Sequence, residues 1–557
     1  MTRMPRVDAV VIGSGPNGLV GANLLADAGW DVVVLEAAEA PGGAVRSAEL
    51  SPGYVRDMCS AFYPLAVPPA PITELDLERF GLKWSHAPAV LTHVLRDGRS
   101  VTLWRDLEAT ASSVDKFAAG DGDAWRRAYD DWQRTGPGLL RALFTPFPPV
   151  RAGLGLLREH GLGGVLRLGR RMVMPVDALA SELFEGEGAR LLLAGCALHT
   201  DLPVSGAVSG GLGWLLAMLG QQRGFPVPVG GAGALTDAMV KRLVGRGGVV
   251  ICNARVDRIE VRAGAARAVH THDGRWWPVR RAVLADVSAP ALYRDLLDPS
   301  VLPAQLLADL EQFRFDGSTV KVDWALARRV PWQVAGAAES GTVHLDPDLA
   351  GLARYGFSLA EDRVPAEPFL ICGQMTTSDP TRSPAGTESM WAYTHLPHRR
   401  TWTDSEIEEV AAAMEGVIER HAPGFRSSIV VRKVTGPAEF ERENPNLVGG
   451  ALAGGSSALH QQLVFRPLPG LGRADTPIDG LYLASASAHP GGAVHGAPGA
   501  NAARAALARR APLAGLVYGS VMKAAQRRLY RDHTGRAEGS DRGSSVRSQS
   551  VVDRSAG

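Results

Sequence analysis

The residues with the clearest chemical meaning are Gly13, Gly15 and Gly18, spaced GxGxxG, and the acid Glu36 downstream of them. Bare backbone at the glycines lets a pyrophosphate come close, and a helix starting there presents free N–H groups and its positive dipole end to the anion. An acid about 20 residues further on accepts hydrogen bonds from a ribose diol and repels a ribose 2′-phosphate, which disfavours NADP. Gly42 and Gly43 follow, then Arg46. In the large class of FAD enzymes with this unit, the spacing E-x5-GG-x2-R/T carries the dinucleotide site on along the flavin side, with a guanidinium in reach of the diphosphate. The opening stretch therefore reads as an FAD site, with Gly13, Gly15, Pro16, Asn17, Gly18, Glu36, Ala37, Gly42, Gly43 and Arg46 as its expected residues.

A second cluster stands near the other end, where His489, Pro490, Gly491, Gly492 and Ala493 follow a short apolar run and precede a helix expected from about Gly499. A helix N-terminus aimed at a flavin ring would stabilise the negative charge of its reduced form, and glycine backbone would let the ring lie close. No acid or base declares itself. His199, His395, His489 and His495 fall in segments that could face such a ring, although a histidine there more often packs or hydrogen-bonds. His489 is the one catalytic candidate named, and flavin chemistry does not require a dedicated side-chain base.

These residues need elements to hold them. Val7 to Ile12 reads as a buried strand, Leu19 to Ala28 as a helix, and Asp31 to Leu35 as a second strand ending at Glu36, which completes a βαβ unit. The middle of the chain gives a glycine turn, a helix from about Ala234 to Val244, strands near Val249 to Cys252 and Val256 to Val261, and another at Val279 to Leu284. The segment from Gly480 to Leu507 adds a strand, the glycine loop and a helix. The nucleotide domain is thus assembled from separated pieces.

The chain has 557 residues, more than one core usually organises, so at least two domains are expected. Its 59 basic and 58 acidic side chains give a net charge of +1, which gives no reason to expect a nucleic-acid partner. Cys59, Cys196, Cys252 and Cys372 show neither CxxC nor zinc-ligand spacing, so no metal and no dithiol relay are expected, and buried reduced thiols of a cytoplasmic protein are. No signal peptide is expected, because the first apolar run carries Asp8 and merges into the glycine motif, and Gly206 to Gly220 reads as too short and glycine-rich to span a bilayer. From Arg134 to Pro175, seven arginines interleave with apolar residues and only Glu159 opposes them, a composition that suits either an anionic membrane surface or a solvated helix pair. Residues 537–557 are rich in Ser, Gly and charge and read as a disordered tail.

The opening motif, VGGAGALTDAMVKRLVGRGG from Val229, and the closing LASASAHPGGAVHGAPGANAARAAL together resemble the phytoene desaturase family of flavoproteins. Within it, ENPNLVGG at Glu443 to Gly450, followed by Arg466-Pro467, is more similar to the branch labelled pyridine nucleotide-disulfide oxidoreductase domain proteins, although no disulfide motif is present. The resemblance implies an α/β fold: a Rossmann-type FAD-binding domain with a discontinuous mixed α+β substrate domain and a helical cap. Its implied boundaries are 1–80, 228–298 and 475–512 for the FAD domain, 81–227 and 299–474 for the substrate domain, and 513–557 for an extension. It also implies that Val256 meets the adenine and that Pro490, Gly491, Gly492 and Ala493 lie under the flavin ring. The activity expected is oxidation of an apolar, polyene-like substrate, with oxygen, a quinone or another acceptor taking the electrons. Oxidation of a small amine and flavin binding without turnover are the alternatives.

Overall fold

The computed structural model describes residues 2–399, 401–470 and 472–530; the tail expected to be disordered lies outside them. Two sheets organise the molecule. In the first, Val249–Ile251, Val32–Leu35, Val7–Ile12 and Arg275–Ala285 run parallel side by side, and Leu481–Leu483 joins against the far end of the last. Arg275–Ala285 is long enough to serve two partners. Its first half pairs antiparallel with Ala265–Thr271, which pairs with Val256–Arg262, while its second half lies in the parallel sheet.

The central strands Val7–Ile12 and Val32–Leu35 are buried on both faces, as apolar runs broken only by Asp8 predict. Ala9 and Val11 point into one core, shared with the helix Pro16–Asp27, whereas Val10 and Ile12 point into another with Val283 and Leu483. The helix begins three residues before the expected Leu19, because Pro16 at its first position has no N–H to lose and its fixed φ suits a helix start. The closing helix, Ala497–Arg510, packs against it.

The second sheet takes its seven strands from Ala89–Val94, Ser100–Leu103, Ser318–Leu326, Ser340–Leu345, Leu370–Gln374, Glu388–Leu396 and Ile429–Thr435. It is antiparallel except where Ser340–Leu345 lies parallel to Ala89–Val94. One face packs on the helix Asp404–His421 through Trp324, Met414 and Phe425. Helices from the stretch between Asp121 and Arg223 form the cap, and Trp125, Trp132 and Trp214 are almost fully buried in its core.

The arginine-rich stretch forms the helices Asp121–Leu143 and Val150–Val173, the latter broken at Gly161. The expectation that only Glu159 opposes its charge is corrected. Arg134 and Arg171 pair with Asp131, Arg170 pairs with Glu182, and Arg141 faces Glu159. The compensating acids come from the preceding turn of one helix and from a following helix, outside the window in which charge was counted.

Candidate functional site

A large cavity, about 1600 Å³ in volume, runs between the two sheets. Pockets for one small ligand usually measure about 300–1,000 Å³, so this one has room for a large cofactor and a further molecule. At one end lie Gly13, Gly15, Pro16, Asn17, Glu36, Ala37, Gly43, Arg46 and Val256; Pro490, Gly492 and Ala493 line it further along. Gly18, Gly42 and Gly491 do not reach the wall; Gly18 lies in the first turn of the helix Pro16–Asp27, behind Pro16 and Asn17, and Gly42 and Gly491 sit beside Gly43 and Gly492, which do.

The opening loop is built around two carboxylates. Glu36 Oε2 accepts from Ser14 N at 2.9 Å and Ser14 Oγ at 2.5 Å, and its Oε1 accepts from Ala38 N at 2.8 Å. Asp286, at the end of the long central strand, accepts from Gly18 N at 2.8 Å. A Cβ on Gly13 would meet the Asp286 carbonyl at 2.8 Å, and one on Gly15 its carboxylate at 2.6 Å. The glycines thus leave room behind the loop for Asp286 as well as bare backbone in front of it. Burial pushes Asp286 up to about 7; the Gly18 N–H opposes this shift and the Glu36 charge adds to it.

These residues fit a dinucleotide. The helix Pro16–Asp27 has no side-chain cap, and Asn17 Oδ1 is buried at its start with no partner among the described residues. Anionic groups are favoured at such a terminus. Arg46 is held at the wall by bonds from Nε to Gly43 O and from Nη2 to Glu443 O. The ENPNLVGG stretch clasps the same corner, with Asn446 accepting from Ser288 N and donating to Asp286 O.

The closing loop is fixed by charge buried beneath it. Arg466, 2% exposed, donates to the carbonyls of Ser456 at 2.9 Å, Ala453 at 3.0 Å and Ala486 at 2.7 Å. Burial lowers its pKa to about 10. Asp316 accepts from Leu452 N and Ala453 N, and burial, with the Asp201 charge, raises it to about 6. Gly492 packs so tightly on Ala453 that a Cβ would sit 2.9 Å from its backbone. His495 accepts from Ala497 N on Nδ1, so its Nε2–H donates to Gly492 O and ties the loop to the closing helix.

His489 is not brought to the cavity. Its Nε2 faces the Thr145 carbonyl at 3.1 Å and its ring packs edge-on to Phe147, so the side chain expected to be catalytic is directed to the cap and not to the cavity wall. His199, His395 and His495 do line the wall. The other end of the cavity is walled by Met172, Leu212, Leu215, Leu216 and Phe225, and floored by Thr319, Lys321, Thr342, Trp391, Tyr393 and His395 of the second sheet. Lys321, 3% exposed, donates to Asp57 O at 2.9 Å and pairs with Asp323, with its ammonium over the Trp391 ring. Sequence reasoning missed Asp286, Lys321 and Tyr393; a lysine inside the apolar alternation of STVKVDWAL was the visible signal for one of them.

The sequence pattern of the family described as flavin-containing amine oxidoreductase matches residues 17–507. The mouse pyridine nucleotide-disulfide oxidoreductase domain-containing protein 2 is 29% identical over 90% of this chain and 93% of its own. A lycopene-forming phytoene desaturase from Pseudescherichia vulneris is 25% identical over 89% and 98%. Among solved structures, cyclohexylamine oxidase from Brevibacterium oxydans superposes with a TM-score of 0.55 at 16% identity, covering 93% of this chain and all of that one, a likeness of fold.

Proposed function

The chain belongs to the flavin-containing amine oxidoreductase family, and from that premise we propose that it dehydrogenates an apolar, polyene-like substrate. It is an oxidoreductase whose cofactor is FAD. When bound, FAD supplies a hydride acceptor. In this reading Gly13, Gly15, Pro16, Asn17, Gly18, Ala37, Gly42, Gly43 and Arg46 hold the diphosphate side, Glu36 binds the ribose, and Val256 meets the adenine. Pro490, Gly491, Gly492 and Ala493 form the shelf for the ring. Residues 1–80, 228–298 and 475–512 are the cofactor domain, and 81–227 and 299–474 enclose the substrate.

The observation that carries the proposal is the continuity of the cavity from the glycine loop to a wall of leucine, methionine and phenylalanine. Apolar side chains there exclude water and give an apolar molecule a place beside the closing loop. Similarity to a phytoene desaturase supports the same substrate class. Oxidation of an amine is a second reading, favoured by the near-parallel Trp391 and Tyr393 rings, 5.9 Å apart, which offer aromatic faces to a cation. Anaerobic titration of the FAD-loaded protein with polyenes and with amines separates the two: loss of the oxidised flavin spectrum with polyenes alone is the expected result, and loss with amines alone favours the second reading.

Peripheral attachment to a membrane belongs to the same proposal. No helix among the described residues is long and apolar enough to cross one. The Val150–Val173 helix nevertheless exposes Val150, Leu154, Leu157, Leu162, Leu166 and Val173, and Met172 and Val173 also line the cavity. An apolar substrate could enter there without crossing water. Electrons leave to oxygen, a quinone or another acceptor.

A further inference from the structure

His199 and His344 meet at the apolar end of the cavity, with their Nε2 atoms 3.0 Å apart. One ring donates and the other accepts, and the surroundings decide which. His344, on Ser340–Leu345, has no exposed surface. Its Nδ1 has no partner among the described residues and abuts Gly195 at the place where a Cβ would sit. A proton on that nitrogen would be a buried donor facing a methylene, with the desolvation cost of an unmade bond. The proton of the neutral ring therefore lies on Nε2 and is donated to His199.

It follows that His199 accepts on Nε2 and carries its own proton on Nδ1. His199 lines the cavity; among the described residues its ring's only hydrogen bond is through Nε2, and its Nδ1 is not one of the enclosed, unpartnered ring nitrogens, as those of His93, His344 and His395 are. Burial keeps the pair neutral: His199 is pushed down to about 3, helped by His395, and His344 falls well below the histidine range. Near them Tyr393 also lines the cavity, edge-on to His395 with ring centres 5.4 Å apart. Its hydroxyl makes no hydrogen bond among the described residues, and burial raises its pKa, so it stays protonated.

We propose that His199 and Tyr393 form a two-point site for a neutral oxygen, a carbonyl or a hydroxyl, on an otherwise apolar substrate, with His344 positioning the His199 proton. The inference rests on the reading that this end of the cavity holds substrate, and it narrows the class from hydrocarbons to apolar ketones, enones and alcohols. Both N–H and O–H donate to a carbonyl; the tyrosine oxygen can also accept from a hydroxyl.

Two measurements on the FAD-loaded protein test it. Nitrogen-15 spectra of histidine-labelled protein, with His199 assigned from the resonance lost in His199→Gln, should show the proton on Nδ1. His344→Gln, whose amide can donate to His199, should preserve that state, and His344→Leu should lose it. A proton on Nε2 of His199 in the parent overturns the assignment. Binding of nonan-2-one and non-1-ene, followed through the visible spectrum of the bound flavin, should favour the ketone by at least about tenfold, roughly one well-made hydrogen bond or more. The margin should shrink in His199→Phe and in Tyr393→Phe while alkene affinity holds. Equal affinities in the parent, or a margin that survives both substitutions, overturns the proposal. Neither readout needs turnover, so ketone selectivity in a protein that fails to oxidise polyenes would support this site and refute the desaturation reading.

Discussion

Replacing Glu36 by alanine removes three protein hydrogen bonds together with the acceptor assigned to the ribose. Ser14 N, Ser14 Oγ and Ala38 N all lose the carboxylate that now orders them. Ser14 Oγ also accepts from Gly42 N at 3.2 Å, so the loss loosens both glycine turns. A hydrogen bond to a charged group contributes about 1.5–3 kcal/mol. At about 1.4 kcal/mol per tenfold, losing the ribose bond alone weakens FAD by about 10- to 150-fold. The loosened loop moves Glu36→Ala towards the upper end, while Glu36→Gln, which still offers Ser14 an amide oxygen, stays near the lower. Titration of apoprotein with FAD, followed by quenching of flavin fluorescence, gives both constants. An unchanged constant for Glu36→Ala would refute the ribose assignment and the loop argument together.

Asp286, raised to about 7 by burial, should take up a proton when the FAD diphosphate arrives nearby, so affinity should fall as pH rises through about 7. Asp286→Asn should flatten that dependence, and the same slope in both proteins would contradict it. With a folded-state value above the ordinary 3.8, this group's contribution to apoprotein stability is present below about 4 and is lost as pH rises towards 7, which denaturant titrations across that range would detect. Gly492→Val, whose side chain would drive into Ala453, should retain part of its FAD yet lose substrate-dependent flavin reduction; reduction at the parent rate would remove the closing loop from the ring. Reversing Arg151, Arg158 and Arg167 to glutamate should release the protein from anionic vesicles in co-sedimentation, whereas reversing Arg170 and Arg171, already paired with Glu182 and Asp131, should matter less; recovery in the supernatant for the parent protein would sink the membrane reading.

The strand–helix–strand unit at the glycine end of the cavity was legible because its signals are local. Strand, glycine turn, helix and acid occupy Val7 to Glu36 without interruption, and each step has a periodicity or a turn residue that announces it. The bounds of the parallel strands follow the apolar runs closely. What stayed hidden depends on distant partners. Asp286 reads as the end of a strand until Gly18, 268 positions away, is seen donating to it. Lys321 is tolerated in a buried strand because the Asp57 carbonyl and Asp323 meet it, and only one of those is near in sequence. His489 sits beside the closing glycine loop, but its ring nitrogen meets the Thr145 carbonyl of the cap, a partner 344 positions away. The stripe of Thr319, Lys321, Tyr393 and His395 exists only once two antiparallel strands fix its register.

The most direct test of the account is anaerobic stopped-flow mixing of the FAD-loaded protein with an apolar polyene, and with the same molecule deuterated at the carbons to be dehydrogenated. If the cavity brings carbon–hydrogen bonds against the flavin, the oxidised flavin absorbance disappears on mixing and does so more slowly with the deuterated substrate. Flavin that stays oxidised with every polyene and is reduced by amines would contradict the account.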